Sequence, residues 1–368
     1  MRVLHVVTLI SEDGAYGGPA RVAVNQAEAL VERGHDVTVI AAGRGPLPVS
    51  AGVHFRLFTP VGLVPRSGYA GLAAPGMLRW ILKHGREFDV VHVHLARDLV
   101  TLPAARLCRA LGVRVVAQTH GMIDPSGKLL AGPLDVLLTK PVLRAAAAVF
   151  HLTSREREDL IGVAGQAMPL VLLTNGVPVL PERRRRDHLE VLFLARLHPR
   201  KRADLFVDMA EIIVRDNDSA VFALVGPDEG SGAEIERRTV SYPHIRWEGA
   251  IAPSSTADRM RDAAVYVLPS MDEPYPMSVL EAMAVGLPVV VSDTCGLAPD
   301  VGRIGCGIVV PTGDLVALVS AVRHLLQDSM VREDMGARGR LAARTQFGTA
   351  AVAETLELHY EGETRDVG

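Results

Sequence analysis

Short apolar runs without polar alternation, separated by helical patterns, constrain this 368-residue chain more than any other feature. The runs at residues 3–9, 36–42, 53–58, 90–94, 113–119, 147–152 and 170–173 are rich in Val, Leu, Ile and Phe, with helical patterns between them, as at 20–33 and 99–111. A strand that is apolar on both sides must be buried on both sides, which calls for a parallel sheet covered by helices. The alternation of strand and helix therefore predicts a doubly wound α/β domain.

The rhythm breaks at residues 178–187, which hold Pro178, Pro181 and four successive arginines, 183–186. This stretch reads as a solvated linker, with phosphate contact by the arginines as the alternative. The pattern restarts at 190–194, 220–225, 245–247, 265–268, 288–291 and 307–309, with helical segments at 202–214 and 278–284. Residues 343–360 are helical in pattern. Two Rossmann-like domains are expected, at 1–180 and 181–342. Ligands of such sheets bind at the carboxyl ends of the strands, so a cleft between the domains is the expected site.

The bulk numbers exclude several classes. Apolar residues make up 48% and charged residues 22%, as in a folded globular protein. Basic and acidic residues, 39 and 42, leave a net charge of −3, which argues against nucleic acid as the main partner. Cys108, Cys295 and Cys306 have no metal-ligand spacing and read as reduced thiols of a cytoplasmic protein. The first ten residues read as a buried strand rather than a signal peptide. No stretch of 18 uninterrupted apolar residues occurs, so no membrane span is expected.

Gly17, Gly18 and Pro19 join the first strand to the first helix. Glycine permits close backbone approach, and a helix N-terminus attracts an anion such as a diphosphate. A simple tight turn is the alternative reading. The loop is not Gly-x-Gly-x-x-Gly, and residues 41–43 supply no acid for a ribose, so a dinucleotide cofactor is disfavoured. In the second half, Arg196 stands at a strand end and Lys201 at the next helix start. Two such cations can neutralise a leaving diphosphate. Arg200 and Arg202 read as surface charge.

The sharpest signal is Glu273 and Glu281, with seven residues between them, in Glu-Pro-Tyr-Pro-Met-Ser-Val-Leu-Glu. A turn followed by a helix places one carboxylate at each end of a ligand, and the amides of Met277, Ser278 and Val279 face a phosphate between them. Carboxylates accept paired hydroxyls well, as on a ribose or hexose. His92 and His94 share one face of a strand. With no nearby carboxylate or thiolate to complete a metal site they read as packing residues rather than ligands, no Asp-x-Asp motif of the kind that holds a divalent ion is seen, and no metal or cofactor is expected.

These pieces, in this order, resemble the retaining glycosyltransferases of the GT-B fold, in the large family-4-like group. The likeness runs through Gly17-Gly18, Thr119-His120-Gly121, Thr174-Asn175-Gly176-Val177, Arg196 with Lys201, Val225-Gly226, Pro269-Ser270, and Glu273 to Glu281. It implies transfer of a sugar from a uridine or guanosine diphosphate sugar to an acceptor hydroxyl, in glycan, glycolipid or glycosylated-metabolite biosynthesis. Arg196, Lys201 and the Gly17-Gly18 amides would bind the diphosphate. Glu281 would hold the ribose, Glu273 the donor sugar, and Ala250 and Ile251 the base, with His120 near the reacting sugar. The first domain would serve the acceptor and the second the donor, with the last helix, within 343–368, crossing back onto the first.

Two departures mark this chain. Pro276 stands where the family commonly has glycine, which removes one amide donor. His120 is followed by Gly121-Met-Ile-Asp-Pro125 rather than by aspartate. Asp124 is an acceptor-contact candidate, although an aspartate before proline is commonly a turn residue. A nucleotide-sugar hydrolase or epimerase, and a non-catalytic nucleotide-sugar-binding subunit, are the rival readings. Residues 77–84 and 128–144 are apolar with basic punctuation and suit either a bilayer surface or ordinary helices packed on a sheet.

Overall fold

The computed structural model describes residues 1–10, 18–45, 47, 50–63, 68–126, 131–184, 189–216 and 219–362. The chain divides into two compact units, one of Met1–Gly176 with Thr349–Gly368, the other of Val177–Gly348. The first contains β1 (Arg2–Ile10), β2 (Asp36–Gly43), β3 (Val53–Phe58), β4 (Val61–Gly62), β5 (Leu72–Ala73), β6 (Val90–His94), β7 (Arg114–Gln118), β8 (Val149–His151) and β9 (Leu170–Leu172). Seven of these form one parallel sheet in the order β3-β2-β1-β6-β7-β8-β9, and β4 with β5 makes a small antiparallel pair.

The sheet is apolar on both faces, as its uninterrupted strands require. Leu4, Val6, Val91 and Val93 face the helices Pro75–His84 and Thr101–Ala110. Val3, Val7, Val90 and Phe150 face the helix Gly18–Glu32 and the final helix Thr349–Glu361. Leu356 of that final helix is fully buried, a contribution of about 1.5–3 kcal/mol. A bidentate pair from Arg33 to Glu357, with His35 at 2.7 Å from the same carboxylate, pins its outer side.

The second unit contains β10 (Glu190–Leu194), β11 (Val221–Val225), β12 (Ile245–Trp247), β13 (Val265–Leu268), β14 (Val289–Ser292) and β15 (Gly307–Val310). They lie parallel in the order β12-β11-β10-β13-β14-β15. Counted within the unit this is 3-2-1-4-5-6, the Rossmann order, whose direction reverses between β10 and β13. The strands at 53–58, 90–94, 190–194, 245–247 and 265–268 fall where the sequence pattern places them. No helix among the described residues is long and apolar enough to cross a membrane.

The expected single helix over 343–360 is corrected. Ala343–Thr345 end the helix Ser329–Thr345 of the second unit, and a new helix begins at Thr349. Phe347 is buried in the break, its amide donating to the Ala342 carbonyl. At Gly348 a Cβ would sit 2.7 Å from the Arg344 carbonyl oxygen, so the turn requires glycine. The stretch read as a linker lies along the second unit as far as it is described: the Arg183 amide donates to the Val285 carbonyl, and the Arg184 side chain pairs with Asp262 at 2.8 Å.

Candidate active site

Parallel strands bring their carboxyl ends to one edge, and in the second unit the ends of β10 and β13 meet at the topological switch point. Arg196 leaves β10 there, and Lys201 closes the short 3-10 turn Pro199–Lys201. Glu273 follows β13. Lys201 Nζ lies 2.5 Å from Glu273 Oε2, with both side chains largely buried. Arg200 stands 3.7 Å from the same oxygen. Backbone bonds knit the three loops: the Met271 amide donates to the Arg200 carbonyl, and the Gly296 amide beyond β14 donates to the Glu273 carbonyl.

Arg196 reaches outward to Glu229 at 2.7 Å, with its side chain 61% exposed. Exposed pairs of this kind contribute about 0–1 kcal/mol, so Arg196 can exchange Glu229 for another anion at little cost. Gly226 fixes the backbone beside it. A Cβ there would lie 2.0 Å from the Ala195 carbonyl oxygen, and its φ is +147°. Its amide donates to the Gly249 carbonyl, which places Ala250 and Ile251 at the carboxyl end of β12, both at least partly exposed.

The helix Met277–Val285 starts from Pro276, with no side chain capping it. The Val279 amide is not free, contrary to the sequence reading. It donates to the Pro276 carbonyl at 3.1 Å in a tight first turn, leaving Met277 and Ser278 to face an anion. The Ser278 hydroxyl is anchored by Tyr266 at 2.7 Å, and the same phenol meets the Leu194 carbonyl at 3.0 Å. Glu281, one helical turn on, is 3% exposed. Cys295 is buried beside this region, which pushes its thiol up to about 12 and leaves it unreactive. The triplet Asp216-Asn217-Asp218 does have Asp-x-Asp spacing. Asp216 caps the helix Ala203–Arg215 and pairs with Arg323, and Asn217 and Asp218 lie outside the described residues.

In the first unit, His120 follows β7 in the left-handed region, φ +52°. Arg202 (+56°) and Asp272 (+47°) share that conformation, and they adjoin Lys201 and Glu273. Among the described residues these are the non-glycine positions with positive φ, and such strain concentrates at functional sites. Gly18 opens the helix Gly18–Glu32, and a Cβ there would meet nothing within 4 Å. Gly17 lies outside the described residues. Asp124 is held by Arg97, whose guanidinium also bridges to Asp135 at 2.8 Å.

Three residues escaped the sequence reading. Glu156 is a buried carboxylate that accepts from Thr119 Oγ1 at 2.5 Å, the Gly121 amide at 2.5 Å and the Leu152 amide at 2.6 Å, bracing the turn that carries His120. The capping pattern Thr153-x-x-Glu156 was the available signal, and Thr153 does cap that helix. Asp98 accepts from Thr8 Oγ1 at 2.5 Å and from the Thr101 amide at 2.6 Å, tying β1 to the loop after β6. His5 joins His92 and His94 in one buried cluster, which the strand pairing of β1 with β6 creates.

Comparison with known proteins agrees with this geometry. Residues 17–176 match the family described as glycosyl transferase 4-like domain, and residues 188–328 match glycosyl transferases group 1. The chain is 28% identical over 334 residues to phosphatidyl-myo-inositol mannosyltransferase of Mycobacterium leprae, covering 88% of this chain and 83% of that protein. It is 29% identical to D-inositol 3-phosphate glycosyltransferase of Kineococcus radiotolerans, covering 77% and 74%. Among solved structures, sucrose-phosphate synthase from Thermosynechococcus elongatus superposes with a TM-score of 0.76 at 20% identity, over 98% of each chain. HepE of Anabaena, in complex with UDP and glucose, superposes with a TM-score of 0.77 at 16% identity, over 96% of this chain and 98% of its own. Two Rossmann-type sheets, the site residues at their strand ends and these matches place the chain in the group 1 glycosyltransferases, enzymes of the GT-B fold.

Proposed function

We propose that this enzyme moves a glycosyl group from a nucleoside-diphosphate sugar to an acceptor hydroxyl with retention of anomeric configuration. The buried Lys201–Glu273 pair beside Arg196 at the switch point is the observation that carries the reading. The diphosphate displaces the carboxylate partners of Lys201 and Arg196, and Glu273, once released, accepts donor-sugar hydroxyls. Glu281 holds the ribose, Ala250 and Ile251 flank the base, and Met277 and Ser278 offer amides to phosphate. Family resemblance assigns His120 to the reacting sugar and Gly18 to phosphate. As the anomeric carbon–oxygen bond to phosphate breaks, the acceptor oxygen bonds to that carbon from the same face. The departing phosphate takes the acceptor's proton while the two cations stabilise it.

HepE was solved with UDP and with UDP-glucose, which supports a uridine donor, and the mycobacterial and Kineococcus relatives put inositol phosphates first among acceptors. A donor panel read by thermal shift tests this. A donor at a hundred times its Kd adds about 2.7 kcal/mol to the state that binds it. For a unit of this size that is roughly 5–10 °C. No shift with any nucleotide sugar rejects the proposal. Transfer to water alone at high turnover would instead favour a hydrolase.

The acceptor side also offers a bilayer surface. Val136 and Leu137 are 62% and 65% exposed, with Lys140 following them. The other segment read this way, the helix Pro75–His84, buries Met77 and Ile81 in the core of its unit. Binding to anionic vesicles that weakens with salt, and that is lost in Val136→Glu with Leu137→Glu, is expected. Equal sedimentation of the wild type with anionic and neutral vesicles counts against this contact.

A further inference from the structure

We propose that Thr294, backed by Thr312 and Asp293, is a positioning residue that fixes the backbone carrying Glu273 and so aims that carboxylate at the donor sugar, an inference that rests on the transferase reading for its effect on turnover. The strand order β10-β13-β14-β15 lays four loops in a row along the carboxyl edge of the second sheet. Lys201 comes from the first, Glu273 from the second, Asp293 and Thr294 from the third, and Thr312 from the fourth. Ser292 pairs with Val310, and the Asp293 amide, one residue on, donates to the Val310 carbonyl at 2.9 Å. This parallel register brings Asp293 and Thr294 beside Thr312.

Glu273 is clamped through its main chain. The Asp272 amide donates to Thr294 Oγ1 at 3.2 Å, and the Gly296 amide donates to the Glu273 carbonyl at 2.8 Å. The loop after β14 therefore holds both ends of the Asp272–Glu273 segment. Asp272 sits at φ +47°, a conformation that costs an L-residue energy and persists where its surroundings hold it. The Gly296 bond acts on the far side of Glu273, whereas Thr294 acts on the amide of Asp272 itself. A rotation at Asp272 swings the side chain that follows it, and that side chain meets Lys201 Nζ at 2.5 Å.

The bonds run in one direction. An amide only donates, so Thr294 Oγ1 accepts from Asp272 and turns its own proton onward. At the far end Asp293 Oδ1 accepts from Thr312 Oγ1 at 2.5 Å and from the Thr312 amide at 3.0 Å. The Thr312 hydroxyl holds the Asp293 carboxyl below its ordinary value, so at neutral pH this end only accepts. The Thr312 proton is thus committed to Asp293, and the 2.8 Å link between the two hydroxyls is made by Thr294 donating to Thr312. Amide, hydroxyl, hydroxyl and carboxylate form a relay with a single arrangement of protons, each bond polarising the next. Thr294 is exposed, and a lone exposed hydroxyl exchanges its partner for water. One fixed on both sides keeps its place.

The test sets Thr294→Val, which keeps the shape and loses the hydroxyl, against Thr294→Ser, which keeps the hydroxyl. Hydrogen exchange at the Asp272 amide, read by NMR on the deuterated full chain without ligand, should quicken by about tenfold in Thr294→Val and return toward wild type in Thr294→Ser. With UDP-glucose as donor, Thr294→Val should lower kcat by about tenfold and Thr294→Ser should restore it. The Kd for UDP, which lacks the sugar, should not change. In a Glu273→Gln background Thr294→Val should alter kcat by less than about twofold, because it acts through that side chain. Unchanged exchange at Asp272, a folded Thr294→Val with full kcat, or an undiminished loss in the Glu273→Gln background overturns the proposal. Should Thr294→Val fail to fold, Thr312→Val removes the relay one step back. It should quicken the same exchange, and no change there overturns the proposal. A wild type that does not turn over UDP-glucose defeats the transferase reading with this donor, and the Asp272 exchange then decides the clamp by itself.

Discussion

Lys201→Met is expected to lower transfer from the nucleotide sugar by about 10²–10³-fold, because in the proposed mechanism the lost cation stabilises charge that grows as the diphosphate departs. The same change removes the 2.5 Å partner of Glu273, a residue only 8% exposed. Leaving a buried charge alone commonly costs about 3–5 kcal/mol, although Arg200 at 3.7 Å offsets part of it. Activity and stability therefore fall together in the single variant, and a second change separates them. Lys201→Met with Glu273→Gln removes both charges and should regain most of the thermal stability while staying inactive. Initial rates and melting curves for the two variants and wild type settle the matter. A Lys201→Met enzyme with near-normal kcat/KM would show that the pair is only structural.

The first unit is expected to unfold in mild acid. Burial lowers His5, His92, His94 and His120 far below the ordinary histidine value, the first and last to about 3. The folded unit keeps these rings neutral while the unfolded chain protonates them, so their contribution is complete above pH ~6.5 and lost as pH falls. Between that value and about 3, His5 and His120 each cost about 1.4 kcal/mol per pH unit, and His92 and His94 act in the same direction. Four such rings approach the whole stability of a domain, about 5–15 kcal/mol, within one to three pH units. Glu357, lowered to about 2 chiefly by its hydrogen bond from Arg33, adds to the loss below the ordinary carboxylate range. Asp98 and Glu156 are raised by burial and act in the opposite sense just above that range. The two tryptophans report separately, Trp80 from the first unit and Trp247 from the second. In Trp247→Phe, the transition seen by Trp80 should fall steeply between about pH 6.5 and 5, and His5→Asn should flatten that slope. A midpoint unchanged over this interval would show that the cluster is charged or solvated.

The placement of much of the candidate site was legible before any fold was known. Arg196, Lys201 and Glu273 each follow a strand, and Glu281 lies one turn into a helix, positions that local pattern locates. The apparent continuity of 343–360 misled because periodicity does not register one buried residue, Phe347, or a turn that only glycine can make. The Val279 amide was misjudged because the bond that satisfies it closes within a single tight turn. Glu156 was missed because its capping pattern looks like any helix start until three donors converge on it.

Local pattern fixed the elements of this protein, since burial on both faces of a strand and the periodicity of a helix are written in adjacent residues. It also fixed the fold class, because two successive α/β rhythms have few ways to pack. Strand pairing decided the rest. Residues 5, 94 and 120 form one imidazole chain, and 201 and 273 one ion pair, only because parallel order lays β1 beside β6 and β10 beside β13. Those contacts depend on register between distant segments, which no local run of residues encodes.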